Sequence, residues 1–280
     1  MSLSVHQLPP AALVRHIRQL RSVALRQQTG TCYIEGARIV LQALAANVPL
    51  LLGVVAPALS THRHAQEAIQ MLRANHVPIT TLSADDFTRL SFKEQRHGVG
   101  AVIQTSIATL ADIPVPQSAW VALSGIGNPG NLGTMLRTCD AVGTAGVLLL
   151  DTTTDPYHPA AIRASMGALF SQRLVQTSFA DCCAWAAAAG CPIIGTSPLA
   201  TRSYRELVYP QPFVLLLGSE RSGLSPEQQA ACQALVRIPM RGTSDSLNVA
   251  VAASIILYEA FQQGGGSNST GSTSTYYQGS

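Results

Sequence analysis

From Pro10 onward, apolar residues recur at helical spacing, with Leu13, Ile17, Leu20 and Ala24 on one face and Arg15, Arg18, Arg21 and Arg26 on the others. One amphipathic basic helix is predicted, its charged side facing solvent or phosphate. The period then changes. Short apolar runs at 32–34, 50–55 and 77–82 predict strands, separated by helical patterns at 36–46 and 65–75. Two further elements, at 86–90 and 99–105, complete a small α/β unit. Residues 107–117, with Pro114 and Pro116, read as a linker.

A second series follows, with strands at 120–123, 146–150, 192–196, 213–217 and 235–238. Helical patterns lie at 132–142, 160–164, 179–189, just after Pro226 and at 246–261, the last opened by Ser246 and Asn248. Apolar strands joined by helical crossovers predict a mostly parallel sheet. Beyond Gln263 periodicity ends in GGGSNSTGSTSTYYQGS, which reads as a flexible tail. The glycosylation match Asn268-Ser269-Thr270 within it reads as chance. The predicted organisation is therefore an α/β domain at 1–106, a linker at 107–117, a second α/β domain at 118–263 and a disordered tail at 264–280.

Composition narrows the class. With 280 residues, 47% of them hydrophobic and 12% charged, the chain can bury two cores and is not disordered. Its longest apolar stretch, 48–59, is interrupted by Pro49, Gly53 and Pro57 and is too short to span a bilayer. The opening MSLSVHQLPP has no secretory pattern, so a soluble cytoplasmic protein is expected. Six cysteines without paired CxxC spacing read as buried thiols in a reducing compartment, and no metal site is expected. The net charge of +3 is uneven: residues 1–106 hold 10 Lys+Arg against 5 Asp+Glu, and residues 107–280 hold 8 against 10. All the basic residues except Lys93 are arginine, whose planar fork suits phosphate, and this points to nucleic acid at the front of the chain.

Three segments of the second domain carry chemistry. The first, SGIGNPGNLGTMLRT, contains Gly125, Gly127 and Gly130 in the G-x-G-x-x-G pattern, and Asp151 ends the next strand. Alone, these features describe a dinucleotide site and an NAD(P)-linked oxidoreductase. Two later segments have no place in such a unit. In LLLGSERSGLS an apolar strand breaks at Gly218 and is followed by Glu220 and Gly223. In IPMRGTSDSLNVAVAASIILYEA a strand passes through a polar loop into a helix.

In this order the segments resemble the SpoU/TrmH family of RNA 2'-O-methyltransferases, within the trefoil-knotted methyltransferase class. The resemblance lies in Asn131-Leu132-Gly133 with Arg137, in Gly218, Glu220, Gly223 and Leu224, and in Ile238-Pro239-Met240 with Ser246-Leu247-Asn248. An intermediate stretch with Arg163, Ser165 and Gly167 also fits, while Ser124, Ala160 and Ser219 depart from the family's usual residues. More weakly, the front domain resembles the substrate-binding domain of rRNA-modifying members, best at GARIVLQAL.

The resemblance implies a deep carboxyl-terminal trefoil knot, S-adenosylmethionine as cofactor, and RNA as substrate, with 23S rRNA favoured by the front domain and tRNA as the alternative. It implies a homodimer paired through the catalytic domain, which sets an arginine of one subunit near the other's cofactor. The cofactor would lie against Thr196, Leu217, Gly218, Ile238, Met240 and Leu247. Asn131 and Ser246 would hold the ribose or its phosphate, Asn248 would brace the loops, and Glu220 would tie the second motif to its neighbours or pair with Arg221 or Arg163. Arg137 would meet the target ribose and phosphate, and Arg15, Arg18, Arg38 and Arg163 would contact RNA. A non-catalytic RNA-binding protein of the same fold would require loss of motif residues, yet Arg137, Ser246 and Asn248 are all present.

Overall fold

The computed structural model describes residues 5–91, 97–113 and 116–266. The predicted tail beyond residue 266, Asn268-Ser269-Thr270 included, lies outside the described residues, as do Pro114 and Val115 of the predicted linker.

The first sheet contains β1 (Thr31–Glu35), β2 (Leu50–Val55), β3 (Ile79–Thr81) and β4 (Val99–Gln104) in the order β1-β4-β2-β3. β4 is antiparallel to both β1 and β2, whereas β2 and β3 are parallel. Strand alternation divides the core between two faces. Cys32 and Ile34 join the cluster formed with α3 (Ala37–Ala45) and α4 (Arg63–Ala74). Tyr33 joins the cluster of α1 (Pro10–Gln19) and α5 (Ala84–Leu90).

The predicted basic helix is two helices. α1 ends at Gln19, and α2 (Val23–Thr29) starts after Ser22. Leu13, Ile17 and Leu20 are buried, but the break leaves Ala24 exposed and turns Arg26 inward to 3% exposure. Arg26 Nη1 donates to the carbonyls of Leu20 at 2.6 Å and Arg21 at 2.9 Å, and its Nε donates to Asp155 Oδ2 at 2.8 Å. Arg26 thus leaves the basic face on which it was expected, because the carbonyls that end α1 and a carboxylate replace its water.

Residues of the predicted linker pack onto the second sheet. Ala108 bridges in parallel to Val175, its N–H donating to the Leu174 carbonyl at 2.8 Å, and Leu110–Asp112 form a 3-10 turn.

The second sheet has seven strands: β5 (Trp120–Ser124), β6 (Gly146–Leu150), β7 (Leu174–Thr177), β8 (Ile193–Thr196), β9 (Arg202–Ser203), β10 (Val214–Leu217) and β11 (Ala234–Arg237). They lie in the order β7-β6-β5-β10-β8-β11-β9, with parallel pairing throughout. Neither β7 nor β9 was expected: they hold 4 and 2 residues, too few to show a period, and each includes polar positions. α6 (Pro129–Val142), α7 (Pro159–Ser165) and α10 (Val249–Gln263) cover one face, α8 (Phe179–Ala188) covers the other, and the short α9 (Pro226–Ala230) lies between β10 and β11 in the chain.

α6 and α7 approach closely at Gly133, where an added Cβ would lie 2.4 Å from the Ala161 carbonyl oxygen and 2.7 Å from Ala164 Cβ. Gly133→Ala is expected to cost about 1–3 kcal/mol by overpacking. The expected readout is a lower urea midpoint at unchanged slope; an unaltered midpoint would show that the two helices separate freely.

From β5 the chain moves outward through β6 and β7, then crosses back to build β8, β10 and β11 on the other side. Strand order reverses beside β5, and in a parallel sheet a crevice opens there at the carboxyl ends of the strands.

Candidate active site

The crevice is an open cleft of about 1240 Å³ between the segments that follow β5, β8, β10 and β11. After β5 the chain turns into α6, whose first N–H groups are capped by Asn128: its Oδ1 accepts from Gly130 N at 2.7 Å and Asn131 N at 3.4 Å. After β10 a turn closes through Ser219 N to the Gly223 carbonyl at 3.2 Å and Gly223 N to the Ser219 carbonyl at 3.0 Å. A Cβ on Gly218 would lie 2.1 Å from the Gly223 carbonyl carbon, so this strand end admits only glycine.

After β11, an irregular stretch lasts until Asn248, whose Oδ1 accepts from Ala250 N at 2.9 Å and Val251 N at 3.3 Å. Asn248 is therefore the cap of α10, a contribution of about 1 kcal/mol, and the helix does not open at Ser246 as expected. Ser246 stays in the exposed loop, where it lines the cleft.

A relay of side chains joins the three segments. Glu220 Oε2 accepts from Gly127 N at 3.1 Å, and its Oε1 accepts from Asn128 N at 3.2 Å and from Asn131 Nδ2 at 3.0 Å. Asn131 Oδ1 in turn accepts from Asn248 Nδ2 at 3.0 Å. One chain of hydrogen bonds thus runs from the β10 turn through the head of α6 to the cap of α10. Burial alone would raise the Glu220 pKa, but the hydrogen bonds from Gly127, Asn131 and Asn128 outweigh it and hold the carboxyl below its ordinary value. Glu220 spends its oxygens on backbone and amide donors, not on Arg221 or Arg163.

The same bonds remove support for the dinucleotide reading. A pyrophosphate would need the N–H groups of the Gly125–Gly130 turn, and a carboxylate of the protein's own already holds two of them. Asp151, the candidate ribose ligand, accepts from Phe179 N at 3.2 Å at the start of α8 and does not line the cleft.

Other expected residues fall on both sides of the cleft boundary. Thr196, Leu217, Gly218, Ile238, Met240 and Leu247 all line it, as do Asn131, Glu220, Ser246 and Asn248. Arg137 does not: it is exposed on α6, next to Thr138, whose hydroxyl meets that of Ser254 on α10 at 2.8 Å. Arg15 and Arg18 are exposed on α1, Arg38 on the first turn of α3, and Arg163 on α7. Two cations also line the cleft: Arg221, expected only as a partner for Glu220, and Arg237, which the sequence did not single out and whose only signal is its place at the end of β11.

Among the described residues, no group of three or more His, Cys, Asp or Glu side chains could hold a metal ion. The buried cysteines are poor nucleophiles, since burial pushes the thiols of Cys32, Cys139 and Cys182 up to about 12. No helix of the described residues is long and apolar enough to cross a membrane.

Met240 and Leu247 each leave 38% of their surface in solvent and line the cleft, where they add apolar area. The polar relay of Glu220, Asn131 and Asn248 lines the same cleft, so apolar and hydrogen-bonding groups share its wall.

Comparisons with known proteins agree with this geometry. The sequence model of the SpoU rRNA Methylase family matches residues 118–258, and that of the MRM3-like substrate binding domain matches residues 12–101. A 23S rRNA (uridine(2479)-2'-O)-methyltransferase of Streptomyces viridochromogenes is 34% identical over a stretch covering 67% of this chain and 60% of that protein. The 23S rRNA (guanosine(2553)-2'-O)-methyltransferase RlmP of Bacillus subtilis is 27% identical over 88% of this chain and 94% of its own length. Among solved structures, the AdoMet-bound rRNA methyltransferase of Sinorhizobium meliloti superposes with a TM-score of 0.80 at 30% identity, covering 89% of this chain and 94% of that one. The SpoU methyltransferase AviRb of S. viridochromogenes, in complex with AdoMet, gives 0.81 at 28% identity over 90% and 97%. The chain belongs to the SpoU rRNA methylase family and is a methyltransferase whose methyl donor is S-adenosylmethionine.

Proposed function

We propose that this chain transfers a methyl group from S-adenosylmethionine to a ribose 2'-hydroxyl of 23S rRNA, working in the cytoplasm as a homodimer. The observation that carries the reading is the relay Glu220–Asn131–Asn248, which draws three distant segments around one cleft. Relatives that act on 23S rRNA and the substrate-binding match at 12–101 favour ribosomal over transfer RNA. The domain division at 1–106, 107–117, 118–263 and 264–280, and a trefoil knot closed by the segment from β10 to α10, belong to the same proposal.

The bound donor supplies an electrophilic methyl group for in-line displacement, so the protein's task is chiefly alignment. Leu217, Gly218, Ile238, Met240 and Leu247 form the donor's bed, with Thr196 at the rim. Asn131 and Ser246 hold the target ribose or its phosphate, while Asn248 and Glu220 keep the loops in place. A guanidinium with a pKa above ~12 is no general base at neutral pH. Arg137 instead grips the neighbouring phosphate and lowers the cost of the developing alkoxide.

Exposed on α6 and outside its own cleft, Arg137 serves the cleft of the second subunit. Val251 and Tyr258 of the adjoining α10, each 47% exposed, supply apolar area for that pairing. Arg15, Arg18, Arg38 and Arg163 contact RNA phosphates.

Tritiated methyl transfer to transcribed 23S rRNA, followed by mapping of the label, tests the reading. Expected is label on one ribose; label on a base, or none with a donor-binding protein, overturns it.

A further inference from the structure

The family match does not say which surface of residues 12–101 meets RNA. On the face of the first sheet opposite α3 and α4, α1 and α5 lie side by side, with Leu13, Ile17 and Leu20 packed in one cluster with Phe87 and Leu90. Between these helices runs an open groove of about 600 Å³ lined by Arg15, Arg18, Arg21 and Arg89, with Asp86 as its acid. Arg15 and Arg18 on α1 and Arg21 in the turn just past its end are spaced three residues apart, and the two on the helix stand about 4.5 Å apart along its axis at 1.5 Å per residue. At the far end, Arg21 Nη2 donates to the Ser91 carbonyl at 3.3 Å and ties the end of α1 to the end of α5, while Arg89 pairs with Asp86 at 3.5 Å within α5.

We propose that this groove docks the phosphodiester backbone of the RNA substrate, and that the Arg26–Asp155 pair holds the groove in register with the methyl-transfer cleft. The proposal rests on the RNA-methyltransferase reading above and deepens it. Planar cations spaced along one wall of a groove, with another on the facing helix, match a polymer with one negative charge per repeat. An acidic protein surface has no such fixed repeat.

Register follows from three hydrogen-bonded links joined by the peptide bonds between neighbouring residues. Arg26 clasps the Leu20 and Arg21 carbonyls where α1 ends and also holds Asp155. The residue before Asp155, Thr154, donates its N–H to the Ile126 carbonyl at 2.9 Å. The residue after Ile126, Gly127, donates to Glu220 at 3.1 Å, the first bond of the relay in the cleft. The groove is thereby fixed to the turn that shapes the active site, and Arg26 and Asp155 are positioning residues.

Three variants and a control test this in the full chain, using transcribed 23S rRNA as the probe. The triple variant Arg15→Gln/Arg18→Gln/Arg89→Gln is expected to raise the RNA KM at least tenfold and to flatten the slope of log affinity against log salt by about 2–3, as loss of that many phosphate contacts requires. Arg73→Gln, on α4 across the sheet, is expected to change neither. Asp155→Asn is expected to leave RNA affinity and its salt slope in place while kcat falls several-fold. Arg26→Met, which removes the cation while filling its space, is expected to do the same.

S-adenosylmethionine affinity, measured by calorimetry, is expected to hold in every variant and serves as the check on folding. An unchanged KM and salt slope in the triple variant would overturn the docking site and assign the groove to another anionic partner. Unchanged kcat in Asp155→Asn would overturn the registering role. If the unsubstituted protein methylates no RNA, the enzymatic reading fails separately, and the groove is still judged by RNA binding alone.

Discussion

Arg137→Lys is expected to lower the single-turnover methylation rate by about 10²–10³-fold without altering S-adenosylmethionine affinity. Lysine keeps the charge but loses the planar fork that grips a phosphate at two points while facing a developing alkoxide. Donor binding is expected to persist because Arg137 is assigned to the phosphate of the target RNA and not to the bed of the donor. Mixing this variant with Asn131→Ala chains is expected to restore part of the activity, since a mixed dimer contains one cleft with an intact Asn131 served by an intact Arg137. Near-normal turnover by Arg137→Lys alone would remove the residue from the reaction.

Glu220→Gln is expected to weaken S-adenosylmethionine binding by about tenfold or more, because an amide offers a single acceptor oxygen where the carboxylate meets three donors. Its NH2 would face Gly127 N, Asn128 N or Asn131 Nδ2 and leave a donor without a partner. The pH dependence follows from the lowered carboxyl pKa. A carboxyl held below its ordinary value stabilises the relay fully above the ordinary glutamate range, and that contribution is lost as pH falls through the folded value. Donor affinity of the unsubstituted protein is therefore expected to decline in acid, and Glu220→Gln is expected to show a flatter acid limb. Identical acid limbs in the two proteins would place the loss elsewhere.

Much of the fold is legible because its signals are local. The strands at 50–55 and 146–150 are short apolar runs with a single glycine each, and their structural bounds match the predicted ones. What the pattern misses depends on partners distant in sequence. The Leu13–Ala24 stripe hides the break after Leu20, and Arg26 turns inward to the carbonyls that end α1 and to Asp155, 129 residues away. β9 exists because β11 offers it an edge, not because two residues carry a period.

The site shows the same division. Residue types and order identify the segments around Asn131, Glu220 and Asn248, yet the pairing of Glu220 with backbone N–H groups instead of an arginine is a matter of tertiary geometry. The glycine pattern at 125–130 misleads on its own because a tight turn into a helix needs the same residues whether the anion it holds is a ligand or the protein's glutamate. Arg237 escapes a sequence reading because an isolated arginine at a strand end carries no spacing signal, and only the fold brings it to the same cleft as Arg221.

The most direct measurement is amide hydrogen exchange across the chain with and without S-adenosylmethionine, with NAD as the comparison ligand. Expected is joint slowing in 217–223 and 238–248 on addition of S-adenosylmethionine, with no response to NAD. Slowing by NAD confined to 125–130, or S-adenosylmethionine leaving both carboxyl-terminal segments unprotected, would contradict a single donor pocket built from those loops.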